Sequence, residues 1–176
     1  MIRFAGQALS VAVRTWRLRR DPVRYFRWLG AEIGADVEIY GAHAFTFGSE
    51  PYLVSIGHGV TISHDVDFIT HDGGLRVARA EYPGAYLYGR IQIGDGCFLG
   101  AHSVFLPGAS VGPGSVIGAG AVVSGKIPPG VVATGAPARP VKSVADYVHA
   151  KRHLWIDTSG LSAAEKRARL SRQVPR

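Results

Sequence analysis

From Ile93 onward a large apolar residue returns at every sixth position. Ile93, Leu99, Phe105, Val111, Ile117 and Val123 open the hexads IGDGCF, LGAHSV, FLPGAS, VGPGSV, IGAGAV and VSGKIP, which run without a break to Pro128. The fifth position is Cys97, Ser103, Ala109, Ser115 and Ala121, small in each hexad until Ile127 closes the series. The fourth is Gly96, His102, Gly108, Gly114, Gly120 and Lys126, and glycine is the natural residue where the backbone takes a positive φ. Internal periodicity of this kind settles architecture before local propensity does. It predicts a parallel β-helix in which short strands turn a corner every six residues. The large first positions point inward, coil on coil, and the small fifth positions leave them room.

The pattern is looser upstream. Ile33, Ile39 and Phe45 begin one series, and Ile56, Ile62 and Phe68 begin another. The steps from Phe45 to Ile56 and from Phe68 to Ile93 are not multiples of six, so each contains an insertion or bulge. The larger one opens with FITHDGG, residues 68 to 74. Outside the repeat, helical signals take over. Asp21-Pro22 marks a helix start with an N-cap and a proline at the first helical position, predicting a helix over residues 22 to 29 closed by Gly30. A further helix is expected around residues 4 to 19, where Leu9, Val13 and Trp16 share one face. Ser143-x-x-Asp146 and Ser162-x-x-Glu165 read as capping boxes for helices over 144 to 154 and 163 to 172. The expected organisation is an N-terminal helical segment, 1–30; a β-helix, 31–134, with an excursion loop at 71–90; and a C-terminal extension, 135–176.

Composition adds limits. The chain has 176 residues, enough for one domain with a real core. Its single cysteine, Cys97, allows no intrachain disulfide and no thiolate zinc site, and it falls at a small core position. Neither a cleavable signal nor an apolar run of about 20 residues is evident, so a cytoplasmic protein is expected. The net charge of +7 is unevenly spread. Residues 1–30 hold seven basic and one acidic residue, residues 31–138 four and nine, and residues 139–176 nine and three. An acidic body with basic ends does not describe a nucleic-acid groove, and no nucleic-acid partner is expected. Two readings of the N-terminal helix stay open. It caps the end of the β-helix, or it lies on an anionic membrane surface at the inner face.

Candidate chemistry centres on His71, which stands where the repeat breaks. A neutral imidazole at such a rim accepts a proton, Asp72 could orient it, and Gly73-Gly74 let the chain turn away. The segments FGSEPYLVSIG, FITHDGG, YGRIQIGDGCFLGAHSVFLPG and IPPGVVATGAPARPVK together resemble the hexapeptide-repeat acyltransferases. Within them, the chain looks like the capsular and exopolysaccharide sugar O-acetyltransferases and is similar to galactoside, maltose and serine acetyltransferases. The resemblance implies a left-handed prism, His71 as general base, acetyl-CoA as acyl donor, no metal, and a homotrimer with its sites between subunits. It further implies cofactor contacts at Ala101, Ala119, Ser124, Arg139 and Lys142. Gly125 replaces a usual lysine, leaving Lys126 as its candidate substitute. The acceptor would be a saccharide, free, nucleotide-linked or lipid-linked, with Glu50 and Tyr52 as candidate contacts beside Asp72. Other readings compete with this one. A γ-type zinc carbonic anhydrase shares the architecture, but His102 lacks a histidine partner at position 107. The remaining possibility is a non-catalytic assembly subunit.

Overall fold

The computed structural model describes residues 14 to 174. It divides into two compact units, Met1–Val144 and Ala145–Arg176.

In the first unit the hexads form three parallel sheets, the faces of a prism. The first face stacks Glu32–Ile33, Val54–Ile56, Ile91–Ile93, Ser110–Val111 and Lys126–Ile127. The second stacks Glu38–Ile39, Thr61–Ile62, Phe98–Leu99, Val116–Ile117 and Val131–Thr134, and the third stacks Asp67–Phe68, Val104–Phe105 and Val122–Val123. Register puts like positions directly over one another. Ile33, Ile56, Ile93, Val111 and Ile127 form one column, and Ile39, Ile62, Leu99, Ile117 and Ala133 form another. Most of these side chains are buried, as are the small fifth positions from Cys97 to Ala121. Each buried Val, Leu, Ile or Phe contributes roughly 1.5–3 kcal/mol of transfer free energy, so the columns supply the cohesion that two-residue strands cannot. The Cys97 thiol donates to the Gly112 carbonyl at 3.3 Å, and burial pushes it above the ordinary thiol range, so it stays protonated in the core.

The third column is aromatic. Phe26, Phe47, Phe68 and Phe105 stack ring on ring at centroid distances of 4.3, 4.8 and 5.0 Å. Phe47, fully buried, therefore holds the place the hexad count gives to Phe45, which is 73% exposed. The chain inserts residues before the third corner of its first coil, and the core selects the phenylalanine that reaches the ring stack. The count also slips at the other end. Ile127 pairs with Val111, so it occupies an inward column position only four residues after Val123. VSGKIP is thus a shortened segment whose isoleucine is a column residue, and the register holds through Val123 rather than to Pro128.

The helix Pro22–Trp28 starts as expected, with the Asp21 carboxylate accepting from the Arg24 N–H at 2.9 Å. Its Tyr25 and Phe26 are buried, and Phe26 tops the aromatic column. Residues 14 to 20 are helical, but Leu18 is their buried residue and Trp16 is exposed, so the apolar face differs from the one expected. Leu9 and Val13 lie outside the described residues. Past Gly135 the chain does not pass straight to helix. Arg139–Ser143 turns back and pairs antiparallel with Val131–Thr134, extending the second face. The helix Val144–Lys151 follows.

The second unit contains the rest of that helix, a 3-10 turn at Arg152–Leu154 and the helix Ala163–Gln173. The Ser162–Glu165 capping box forms with both hydrogen bonds present. No helix among the described residues is long and apolar enough to cross a membrane.

Candidate active site

The larger interruption leaves the prism after Phe68 and returns at Ile91. Its two limbs pair as a short antiparallel ribbon, His71–Asp72 against Leu87–Tyr88, with a 3-10 turn at Gly73–Ala78 between them. Thr70, buried just before it, anchors the exit, and its carbonyl accepts from the Gly89 N–H on the return limb at 3.0 Å. His71 therefore projects from a rigid corner, between the third face and the first.

The smaller interruption supplies its partner. Residues 47 to 50 run tightly against the exit of the coil above. Gly48 has φ +64, and a Cβ there would fall 2.8 Å from both the Phe68 carbonyl and the Thr70 hydroxyl. Only glycine allows that approach. It delivers Glu50 to the corner, where one carboxylate oxygen accepts from the Thr70 hydroxyl at 2.6 Å and lies 3.0 Å from His71 Nδ1. The Glu50 side chain is largely buried, at 16% exposure, against 35% for His71. An ionised carboxylate can only accept, so it fixes the proton on Nδ1 and leaves Nε2 with a free lone pair. No partner holds Nε2 among the described residues. This is the arrangement of a histidine base oriented by a carboxylate.

Glu50 and Asp72 stand in different surroundings from those the sequence suggests. Glu50, expected to contact an acceptor, has its inward oxygen committed to Thr70 and His71. Asp72, considered as the orienting carboxylate, accepts instead from the Gly74 N–H at 2.7 Å and caps the 3-10 turn. Tyr52 is exposed on the turn Pro51–Leu53, close to Gly30. Two tyrosines that the sequence reading passed over line the return limb opposite His71. Tyr88 is the register partner of His71, with ring centroids 5.8 Å apart, and Tyr86 follows at 6.0 Å from Tyr88. Arg79 lies over the Tyr86 ring at 5.0 Å and also hydrogen-bonds its hydroxyl. The alternate spacing of Tyr86 and Tyr88 was the available signal, since it puts both on one side of a strand.

The residues proposed for the cofactor fall in separate places. Ala101 and Ala119 occupy consecutive coils at the corner between the second and third faces, joined by a bond from the Gly120 N–H to the Ala101 carbonyl at 2.8 Å. Ser124, after Val123, lies on the same edge as His71. Lys126 is exposed on the first face, in the strand that pairs with Ser110–Val111. Arg139 and Lys142 are exposed on the antiparallel strand added to the second face, and Arg139 donates to its neighbour's carbonyl at Ala138. Exposed cations and small corner residues are the right chemistry for phosphates and a thin pantetheine arm. Within one chain, however, the alanine corner and the histidine corner are different edges of the prism. His102 takes φ +58, as expected for a residue in the turn position. The stacking of coils, which no hexad count displays, also brings it beside His64 and Asp65.

Comparison with known proteins points to the same repeat architecture. A family model described as bacterial transferase hexapeptide (six repeats) matches residues 90–125. Protein CapG of Staphylococcus aureus is 44% identical over 121 residues, covering 69% of this chain and 70% of that protein. The galactoside O-acetyltransferase of Escherichia coli K12 is 32% identical over 126 residues, 72% of this chain, which spans 61% of that enzyme's length. A hexapeptide-repeat acetyltransferase from Vibrio cholerae, solved with acetyl coenzyme A, superposes with a TM-score of 0.52 at 25% identity, covering 65% of this chain and 60% of that one.

Proposed function

Since this chain belongs to the hexapeptide-repeat bacterial transferases, and is an acyltransferase among them, we propose that it transfers an acetyl group from acetyl-CoA to a saccharide hydroxyl, with His71 as general base. The observation that carries this reading is the Thr70–Glu50–His71 hydrogen-bond chain, which holds the His71 ring by Nδ1 and leaves Nε2 facing an open corner. The coil is taken as left-handed, the hand that the resemblance implies.

Acetyl-CoA supplies an activated thioester carbonyl. The protein's part is the proton. An alcohol is almost entirely un-ionised at neutral pH, so Nε2 takes its proton as the new bond forms. The Glu50 carboxylate stabilises the imidazolium that results, and as the C–S bond breaks the same nitrogen returns the proton to the departing thiolate. General-base assistance of this kind is typically worth 10²–10⁴-fold, about 3–5 kcal/mol. Positioning and stabilisation of the developing oxyanion supply the rest.

Ala101, Ala119, Ser124, Lys126, Arg139 and Lys142 remain the cofactor-binding set of this proposal. Because Ala101 and Ala119 stand on a different edge from His71, a site that uses both needs two chains, which supports a homotrimer with its sites between subunits. The tyrosines beside His71 suit a sugar ring, whose C–H face packs on an aromatic plane. Surface polysaccharide biosynthesis on the cytoplasmic side, with the basic N-terminal segment touching the membrane where the acceptor is lipid-linked, belongs to the same reading.

The decisive experiment follows thiol release from acetyl-CoA by the purified protein and by His71→Ala, against free sugars, sugar nucleotides and polysaccharide fragments. Circular dichroism checks that the variant is folded. Acceptor-dependent release that falls at least 10²-fold in a folded variant is the expected result. Equal rates from the two proteins would remove His71 from the mechanism.

A further inference from the structure

At the corner between the second and third faces, two successive coils each bring a turn to the surface. His64 and Asp65 form the turn between Thr61–Ile62 and Asp67–Phe68. His102 belongs to the turn directly above, between Phe98–Leu99 and Val104–Phe105. The His102 N–H donates to the His64 carbonyl at 3.1 Å, which locks the two turns in register. The two imidazoles meet edge to face with centroids 5.3 Å apart, and His102 Nδ1 lies 3.8 Å from the Asp65 carboxylate. One ligand atom from each of the three side chains falls within 4.8 Å of the others.

Two of these residues also stand in a conformation that side chains seldom choose. Asp65 has φ +53 and His102 has φ +58, at turn positions that the later hexads give to glycine. Nothing in the Thr70–Glu50–His71 chain uses this cluster. Within one chain it lies on another edge of the prism from His71, the edge that also carries Ala101 and Ala119, and the acyl-transfer reading assigns no role to any of its three side chains.

We propose that His64, Asp65 and His102 form a binding site for a divalent transition-metal ion of the zinc class. Two neutral imidazoles and a carboxylate are borderline donors that favour Zn²⁺, Co²⁺ or Ni²⁺ over Mg²⁺ and Ca²⁺. Metal–nitrogen and metal–oxygen bonds of about 2.0–2.2 Å set tetrahedral ligand atoms roughly 3.3–3.6 Å apart. The three groups therefore need to close by about an ångström. All are exposed side chains with the freedom to do so. With three protein ligands, the remaining coordination is left to water or to an incoming ligand. The ion also ties one coil to the next at a corner where the intervening strands are two residues long.

The test is titration of the full chain, stripped with chelator, with Zn²⁺ followed by calorimetry, and with Co²⁺ followed by its visible absorption. The expected result is saturable binding of one ion per chain, with a Co²⁺ spectrum typical of nitrogen and oxygen ligands. His64→Ala, Asp65→Asn and His102→Ala should each weaken binding by more than about 10-fold, since loss of even an outer-sphere partner costs 10- to 100-fold at metal sites. His149→Ala, in the helix Val144–Lys151, should bind as the unaltered protein does, and Mg²⁺ should not compete. No saturable binding, or binding that survives all three substitutions, overturns the proposal. Metal binding is read directly, so this outcome is independent of whether acetyl transfer is found.

Discussion

The coil that runs from Ile91 to Phe105 and the one that precedes it, from Val54 to Phe68, share the same three faces and the same columns. They carry different burdens. The later coil and its successor keep six-residue spacing from Ile93 to Val123, with glycine at every left-handed turn position except His102 and apolar residues inside. Periodicity there serves packing, and the functional signal is sparse. The earlier coil is interrupted on both sides, by residues 45 to 50 before it and by the excursion after Thr70. Those two interruptions meet, because Glu50 comes from one and His71 from the other. A repeat stacks equivalent positions, and an asymmetric pair of groups needs a place where equivalence is broken.

If that division is right, the regular coils should tolerate chemical tests and fail mechanical ones. Phe105→Ala removes a fully buried ring from the middle of the aromatic column, between Phe68 and Val123. Such truncations cost about 3–5 kcal/mol. Chemical denaturation should show a loss of that size, while the rate per folded molecule changes little. A Phe105→Ala protein with normal stability would mean that the column is not what holds the prism together.

The interrupted coil should behave in the opposite way. Glu50→Gln keeps the shape but replaces an acceptor-only group with one that can donate, so it no longer fixes the proton on His71 Nδ1. The expected fall in kcat/KM is on the order of 10²-fold, inside the range of a general-base contribution. The loss should lie mainly in kcat, with the pH profile displaced, because in the proposed mechanism the altered group orients the base. A change confined to KM would return Glu50 to the acceptor-contact role suggested by its sequence neighbourhood.

Much of this division was legible in the chain. The columns from Ile93 to Val123, the helix start at Asp21-Pro22, the Ser162 capping box and the exposed corner at His71 all follow from spacing and local chemistry. Spacing was less informative where neighbours come from different coils. Phe47 displaces Phe45 because the ring stack is assembled from coils 21 and 37 residues apart in sequence, and Ile127 joins its column after a shortened step. The Glu50–His71 pair spans 21 residues and an insertion, so the sequence offers only the adjacent Asp72 as an orienting group. The His64–Asp65–His102 cluster depends wholly on which turn stacks on which. The antiparallel strand Arg139–Ser143 was hidden because its Pro140 argues against a strand, although an added edge strand tolerates it.

The smallest effects test the regular coils at their most similar positions. Ser103 and Ser115 both hold the fifth place of a hexad, and both are fully buried. Their hydroxyls differ in occupation. Ser115 Oγ donates to the Pro128 carbonyl at 2.9 Å and accepts from the Val131 N–H at 3.3 Å, bridging its coil to the shortened one. Ser103 Oγ has no hydrogen-bond partner among the described residues. A buried hydroxyl with partners is worth about 1 kcal/mol net, and one without them costs about 1–3 kcal/mol in desolvation. Ser115→Ala should therefore destabilise by about 1–2 kcal/mol, because it also strands the Pro128 carbonyl and the Val131 N–H. Ser103→Ala should stabilise by roughly 1 kcal/mol, since alanine already fills the same place at Ala109 and Ala121. Thermal melts of the two variants should move in opposite directions. Equal shifts of one sign would show that the fifth position responds to side-chain volume alone, and that the repeat treats its polar atoms as if they were methyl groups.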